Sequence, residues 1–183
     1  MKILIKKILN LVFIYLYLLC GCTSYKLEYV PLAIYSGENL SWITTSSDVE
    51  AVSVEGVLLH IVHDISPRPT LSEVFEFAIE RHLIQEPHGN ARLHFRIIDA
   101  KLLVKNQYTG GTVKLTLLVE CQFIINDKSE IRTYSGRFFE QSIPAGFNGL
   151  DYIGQFNNYM DAAAKSVAVS VRRDLNALLV KRQ

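Results

Sequence analysis

The stretch Val113-Lys114-Leu115-Thr116-Leu117-Leu118-Val119-Glu120-Cys121-Gln122-Phe123-Ile124-Ile125 decides the fold. Every second residue from Val113 to Ile125 is apolar, and most of the residues between them are polar. Successive side chains of a β-strand point to opposite faces of a sheet. The pattern therefore predicts a long strand with one face in a core and the other toward solvent.

Two more strands are predicted on either side of this one. Turn sequences at residues 108–111 and 126–129 separate it from apolar alternation at residues 93–105 and 131–140. Short turns between consecutive strands predict an antiparallel meander. The apolar phase changes by one residue near Ile97-Ile98, which predicts a β-bulge in the first of the three strands.

Two helices and one more strand complete the predicted fold. Residues 52–65 are apolar on both faces, which predicts a strand covered in part on both sides. Thr70 and Glu73 form a capping-box pattern before an apolar helical pattern that ends at Pro87. A second helix is predicted over residues 155–180. The order β-α-β-β-β-α predicts an α+β two-layer sandwich with two helices on a four-stranded mixed sheet.

The first 21 residues differ in character from the rest. Three lysines and no acidic residue precede or flank an apolar run from Ile8 to Leu19, which is shorter than the about 20 residues of a membrane-spanning helix. This pattern is typical of an export signal. The full chain has a formal charge of +1, and without these residues 16 basic and 18 acidic residues remain. The charge therefore gives no basic excess for binding nucleic acid.

The end of this segment, Leu19-Cys20-Gly21-Cys22, resembles the bacterial lipobox. Cys22 fits the position of the lipidated cysteine. Cys20 does not, because Leu19 would then stand directly before it, where a small residue is needed. The resemblance implies a diacylglyceryl group and an N-acyl chain such as palmitate on Cys22. Two or more acyl chains give stable membrane anchoring, which a single chain does not.

The residue after Cys22 bears on which membrane holds the anchor. In the enteric sorting pattern, Asp at this position retains a lipoprotein in the inner membrane, and here the residue is Thr23. We therefore expect the outer membrane, with the chain on its periplasmic face. Cys121 is then the one free thiol of the exported chain, and its place in the apolar pattern predicts a small core residue.

The chain is accordingly predicted to have three parts. Residues 1–21 are the lipoprotein signal peptide, residues 22–51 are a tether with local structure, and residues 52–183 are a single α+β domain. The tether is predicted to contain a short strand at residues 25–29 and turns at residues 36–39 and 44–48.

Three lysines are the other candidate site residues. Lys101, Lys105 and Lys114 are predicted along one edge of the meander, where they could contact an anionic lipid headgroup. The more usual role of such lysines is to protect an exposed strand edge or to keep the sheet soluble. We predict no metal or cofactor, since His60 and His63 would project from opposite faces of a strand.

The chain resembles small periplasm-facing outer-membrane lipoproteins of the YajG-type uncharacterised family. The resemblance spans residues 57–179 and is carried by the strands at 93–98 and 113–125, by Thr133-Tyr134-Ser135-Gly136-Arg137, and by the long helix after a polar loop. The element order is also similar to that of the lipoprotein of the lipopolysaccharide translocon. Auxiliary lipoproteins of lipid-transporting ABC systems are a looser likeness. These resemblances imply no catalytic residues.

The expected function is a non-catalytic, lipid-anchored binding or assembly module at the outer membrane. Its expected partners are the membrane itself and an envelope protein, either an outer-membrane barrel or a transport complex. The alternative is a carrier of lipid or lipopolysaccharide, or an accessory lipoprotein of a translocon. That alternative predicts an apolar groove between helix and sheet with Lys101, Lys105 or Lys114 at its rim. A tethered hydrolase would need a polar triad that the sequence does not supply.

Overall fold

The structure is a computed structural model that describes residues 25–28, 42–56, 62–83, 91–107, 110–143 and 155–181. The elements in chain order are β1 (Tyr25–Glu28), β2 (Ile43–Ser47), β3 (Val52–Gly56), β4 (Val62–Arg68), α1 (Leu71–His82), β5 (Ala91–Gln107), β6 (Gly110–Ile125), β7 (Lys128–Ile143) and α2 (Phe156–Lys181). The fold is mixed α+β, as the alternating patterns predict.

All the described strands join one mixed sheet in the order β1-β4-β3-β5-β6-β7. β2 lies beside the first half of β5, and β3 lies beside its second half, both in parallel. The long strands β5, β6 and β7 form the predicted antiparallel meander. Asn126 and Asp127 have positive φ at the tight turn between β6 and β7, as a hairpin turn of matching twist requires.

The sheet has seven strands in the described chain, so the prediction of four is wrong. Residues 52–65 were predicted as one strand but contain β3 and β4, which pair antiparallel with Val54 opposite His63. The sequence between them, Val57-Leu58-Leu59-His60-Ile61, is mostly apolar and carries no turn signal, so the pattern shows no break. The strand predicted near Tyr25 is present as β1, and it pairs in parallel with β4.

β2 is the second reason for the larger strand count. Its sequence is Ile43-Thr44-Thr45-Ser46-Ser47, and residues 44–48 were predicted as a turn because hydroxyl residues favour turns. In the structure these hydroxyls have distant partners. The oxygens of Thr44 and Ser46 lie 2.9 and 3.1 Å from the two ring nitrogens of His94, and Thr45 donates to the Ser72 carbonyl at 3.1 Å. No local pattern reveals partners so distant in sequence.

The predicted bulge in β5 is confirmed. Ile97 pairs with Val119 and Asp99 pairs with Leu118, so Ile98 is the extra residue. The bulge keeps the apolar residues on both sides of it on the same face of the sheet.

Both helices pack on that face. α1 contacts α2, β2 and β4, whereas α2 contacts α1, β6 and β7. The alternating apolar residues of β6 predicted to face the core are all buried there. The largest fully buried side chains are Phe75, Phe95, Phe123, Phe156, Ile65, Leu71, Ile79, Leu93, Ile97, Leu102, Leu115 and Leu117. Burying each stabilises the fold by roughly 1.5–3 kcal/mol relative to exposure.

The opposite face of β5, β6 and β7 carries no described helix, and we call it the open face. Its residues are those between the buried ones, and those whose side chains the structure describes are exposed or half-buried. Neither described helix combines the length and hydropathy of a membrane-spanning segment.

Candidate functional site

The predicted anchor residues Leu19, Cys20, Gly21 and Cys22 lie outside the described residues. The described chain nevertheless limits where the anchor can be, because β1 begins at Tyr25 and is hydrogen-bonded into the sheet. Three residues of polypeptide span at most about 11 Å even when fully extended. Cys22 therefore lies within that distance of Tyr25 whatever path the chain takes.

The three candidate lysines come together at one end of the open face. Leu103 pairs with Lys114, which places Lys101 and Lys105 on the same face of β5 diagonally across from Lys114. All three side chains are exposed. β5 has β3 on one side and β6 on the other, and β6 has β7 on its far side. These are interior strands, so protection of a strand edge does not account for the lysines.

A fourth cation, Arg137, completes this group. Arg137 pairs with Thr116, which pairs in turn with Lys101, so the three residues form one row across β5, β6 and β7. We call Lys101, Lys105, Lys114 and Arg137 the basic cluster. Arg137 was not predicted as a site residue, because its position depends on the register of the hairpin between β6 and β7.

Three carboxylates, those of Asp99, Glu55 and Asp64, lie near the basic cluster on the same face. The exposed Asp64 of β4 pairs with Ser53, which pairs in turn with Lys101. Asp99 forms an ion pair with Lys101 at 3.0 Å. The hydrogen bond to Asp99 and the negative charge of Asp99 raise the pKa of Lys101. Glu55 pairs with Leu103 across β3 and β5. Within the described residues, Lys105, Lys114 and Arg137 form no salt bridge with a carboxylate. The cluster therefore keeps a local positive excess.

The basic cluster does not border the space between helices and sheet. The four cations project from the open face, whereas α1 and α2 cover the opposite face. The described part of that helix-covered interface is filled by the apolar core. The expectation of lysines at the rim of a groove between helix and sheet is therefore wrong, because the strand alternation turns them to the other side.

The other half of the open face has a different chemistry. Arg96 forms ion pairs with Glu120 at 3.1 Å and with Asp48 at 3.8 Å, so its charge is balanced. Two apolar side chains lie on the same face of β6 and β7: Leu118 is 38% exposed and Ile131 is 57% exposed. We call this half of the face the apolar half. This half therefore differs from the basic cluster in having balanced charges and two exposed apolar side chains.

On the helix-covered face of the sheet, a network of polar side chains connects α2 to β7. Asp174 accepts hydrogen bonds from Tyr134 at 2.9 Å and from Arg132 at 2.9 Å, and Arg173 lies 3.3 Å away. Burial alone would raise the pKa of Asp174, but these donors outweigh it and hold the pKa below its ordinary value. Burial and the bond to Asp174 raise the pKa of Tyr134. The network is structural, since it joins neighbouring elements and is built from satisfied groups.

The remaining reactive groups of the described chain give no assembled site. Cys121 is fully buried in the core, as predicted, and burial raises the pKa of its thiol, which disfavours the nucleophilic thiolate. Among the described side chains, no three His, Cys, Asp or Glu residues lie close enough to share a metal ion. His60 lies outside the described residues.

A scan against protein-family models finds no match, and neither does a search of the curated proteins. Solved structures do show similar chains. One is a candidate lipoprotein of Caulobacter crescentus CB15, with a TM-score of 0.48, 12% identity, and coverage of 79% of this chain and 95% of that chain.

Two further structures are similar over most of the chain. A Xanthomonas campestris protein of the family DUF330 has a TM-score of 0.44, 9% identity, and coverage of 84% of this chain and 98% of its own. A minor lipoprotein of Acinetobacter baumannii has a TM-score of 0.39, 16% identity, and coverage of 73% and 91%. None of the three is described as YajG-type, so that resemblance stays a prediction.

Proposed function

We propose that this chain is a lipid-anchored envelope lipoprotein that acts without catalysis, as a binding or assembly module on the periplasmic face of the outer membrane. The observation that carries the proposal is the short connection between Cys22 and the sheet. β1 starts three residues after the lipobox cysteine and pairs with β4 over its whole length. An anchor at Cys22 would therefore hold the folded domain itself at the membrane surface.

The open face supports a binding role for such a domain. One side of the sheet is used for the core, and the other presents three long strands to solvent. Its apolar half carries Leu118 and Ile131 next to the balanced charges around Arg96. Apolar anchors surrounded by polar groups supply affinity and specificity in transient interfaces. We assign the apolar half to an envelope protein partner.

The proposal is tested by photo-crosslinking in living cells. A photoreactive amino acid replaces Ile131 on the apolar half, and in a matched variant it replaces Val169, which is 65% exposed on α2. Both variants carry an affinity tag and are made with and without Cys22→Ala. Membranes are then separated by flotation, and adducts are identified by mass spectrometry.

The expected result is an adduct with an outer-membrane barrel or a transport protein from position 131, none from position 169, and loss of the chain from the membrane in Cys22→Ala. Capture of a lipid-transport component would assign an accessory role in transport. Equal adducts from both positions would refute the open face as the binding surface. A chain that stays soluble with Cys22 intact would refute the anchor.

A further inference from the structure

We propose that the basic cluster binds the anionic headgroups of the same leaflet that holds the acyl chains on Cys22, and so turns the open face toward the membrane at that end. This inference rests on the proposed anchor at Cys22. It concerns one surface, formed by Lys101, Lys105, Lys114 and Arg137, and one occupant, an anionic bilayer surface.

The first argument is the distribution of charge along the open face. At the end with the basic cluster, four cations face the three carboxylates of Asp99, Glu55 and Asp64, which leaves an excess of one positive charge. In the other half, the two exposed cations Arg92 and Arg96 are matched in number by Glu120 and Asp48. The open face is therefore polarised along its strands, with its positive excess confined to one end.

The second argument is geometric. Tyr25 of β1 pairs with Ile65 of β4, which pairs with Val52 of β3. The next residue of β3, Ser53, pairs with Lys101 of β5. Three strand spacings of about 4.8 Å therefore separate Tyr25 from Lys101, a distance of about 15 Å across the sheet. Because Cys22 is within about 11 Å of Tyr25, the anchor holds the basic cluster close to the bilayer surface.

The third argument concerns direction. β1 runs parallel to β4 from Tyr25 to Glu28, and the pairing through β3 makes it antiparallel to β5. Tyr25, the first residue of β1, is therefore nearer than Glu28 to the row formed by Leu103 and Lys114. The strand enters the sheet from the same end as the cations. The anchor and the cations therefore bring the same end of the sheet to the membrane.

Headgroup binding by the basic cluster becomes effective when the acyl anchor holds the domain at the membrane. A cation near an anionic bilayer improves binding by about fivefold, and the effect falls off within a Debye length of about 8–10 Å at physiological salt. The acyl anchor keeps the cluster at high effective concentration at the surface. The basic cluster therefore sets the orientation of a domain whose membrane affinity comes from its lipid.

The test measures orientation on vesicles with the lipidated full-length protein purified from membranes. A fluorophore is attached at Thr116→Cys, in the centre of the basic cluster, or at Val169→Cys on the helix-covered side. Cys121 is buried and leaves these positions as the labelling sites. Quenching by headgroup-labelled lipid is compared in phosphatidylcholine vesicles with and without a quarter of phosphatidylglycerol.

We expect quenching at position 116 to be at least twice that at position 169 in anionic vesicles, and to fall to the level of position 169 in neutral vesicles or at 0.5 M salt. Lys105→Glu with Lys114→Glu abolishes the difference. Lys165→Glu with Lys181→Glu, two exposed residues of α2, makes the same change in net charge and preserves it.

The outcomes separate this inference from the anchor. A protein that floats with vesicles but shows equal quenching at both positions, or no dependence on anionic lipid, refutes the basic cluster as a headgroup site and leaves the anchor intact. A protein that does not float refutes the proposed anchor, and with it this inference. Circular dichroism of each variant shows whether a changed signal comes from unfolding.

Discussion

Gly136 on β7 shows how closely α2 approaches the sheet. A Cβ at this position would lie 2.9 Å from the Ala163 carbonyl oxygen and 3.0 Å from a methyl of Val167, and the oxygen belongs to the helix backbone. Backbone cannot rotate away as a side chain can, so α2 would have to shift. We predict that Gly136→Ala lowers the free energy of unfolding by about 1–3 kcal/mol, measured by urea denaturation of residues 23–183.

Gly56 in β3 is the matched control for this prediction. A Cβ there meets no atom within 4 Å. Gly56→Ala should be neutral or raise the free energy of unfolding by up to about 1 kcal/mol, because Ala restricts the unfolded chain. Equal losses in the two variants would show that close helix packing is not the cause.

Asp174 allows a prediction that depends on pH. Asp174→Ala removes the acceptor of Tyr134 and Arg132, which should cost about 1–3 kcal/mol of unfolding free energy at pH 7. The exposed neighbour Asn176→Ala is the control and should change little. Because the folded-state pKa of Asp174 lies below its unfolded value of about 3.9, its contribution is present above that pH.

The stability difference between the wild type and Asp174→Ala should therefore be constant from about pH 5 to 7 and shrink as the pH falls below about 4, through the folded-state pKa. Urea denaturation across this range measures it. A difference that grows on acidification would have the opposite sign and would exclude an ionised Asp174 as the source of the stability.

At the scale of residues, the sequence predicts what depends on alternation alone. Cys121 was expected in the core and is there, because its position in the strand pattern is enough to decide its face. Arg137 and Asp174 were not singled out. Their partners come from β5, β6 and β7, and the pairing register that brings them together is not encoded in their neighbours.

At the scale of elements, α1 was predictable because its start is a local motif. Thr70 is the N-cap of α1, its backbone N–H donates to Glu73 at 2.8 Å, and the amide of Glu73 donates back to its hydroxyl. The Thr70 hydroxyl also donates to the Glu73 carboxylate at 2.7 Å, and this bond together with the bond from the Thr70 N–H lowers the pKa of Glu73. β3 and β4 could not be separated in the same way, because the sequence between them at residues 57–61 is mostly apolar and has no turn residues.

The bulge in β5 supports a prediction about deletions. Ile98 has no partner in β6, and removing it would place Leu93, Phe95, Ile97, Ala100, Leu102 and Val104 in one unbroken alternation. The pairing of Asp99 with Leu118 would then follow Ile97 and Val119 without a shift. We predict that deletion of Ile98 leaves a cooperative thermal transition, measured by circular dichroism.

Deletion of Thr116 is the contrasting case. β6 is regular at this point, so losing one residue would turn buried leucines such as Leu115 or Leu117 to the open face. This variant should lose its cooperative transition. If both deletions behaved alike, the bulge would not be what keeps the two halves of β5 in phase.

At the scale of the whole molecule, the two faces of the sheet have different roles. The helix-covered face supplies the stability, and the open face carries the polarised charge and the exposed Leu118 and Ile131. The sequence predicted the two layers because each helix and strand has one apolar side. It predicted a short strand at residues 25–29 but not that this strand pairs with β4, since alternation identifies a strand and not its partner.

The proposed location gives a prediction at Thr23. If the enteric sorting pattern applies, Thr23→Asp should move the lipidated protein from the outer-membrane to the inner-membrane fraction of a sucrose gradient. Thr23→Ser, which keeps a hydroxyl, should remain in the outer membrane. An unchanged distribution of Thr23→Asp would remove the sorting argument without affecting the anchor at Cys22.

The last prediction concerns the length of the link between Cys22 and β1. Twelve Gly and Ser residues inserted between Ser24 and Tyr25 lengthen the link from three residues to fifteen, which lowers the effective concentration of the basic cluster at the bilayer about tenfold. Flotation with vesicles should be unchanged because the lipobox is intact. Quenching at position 116 should fall toward that at position 169, whereas the same residues appended after Gln183 should have no effect. Full quenching with the long link would mean that the basic cluster finds the membrane without help from a short tether.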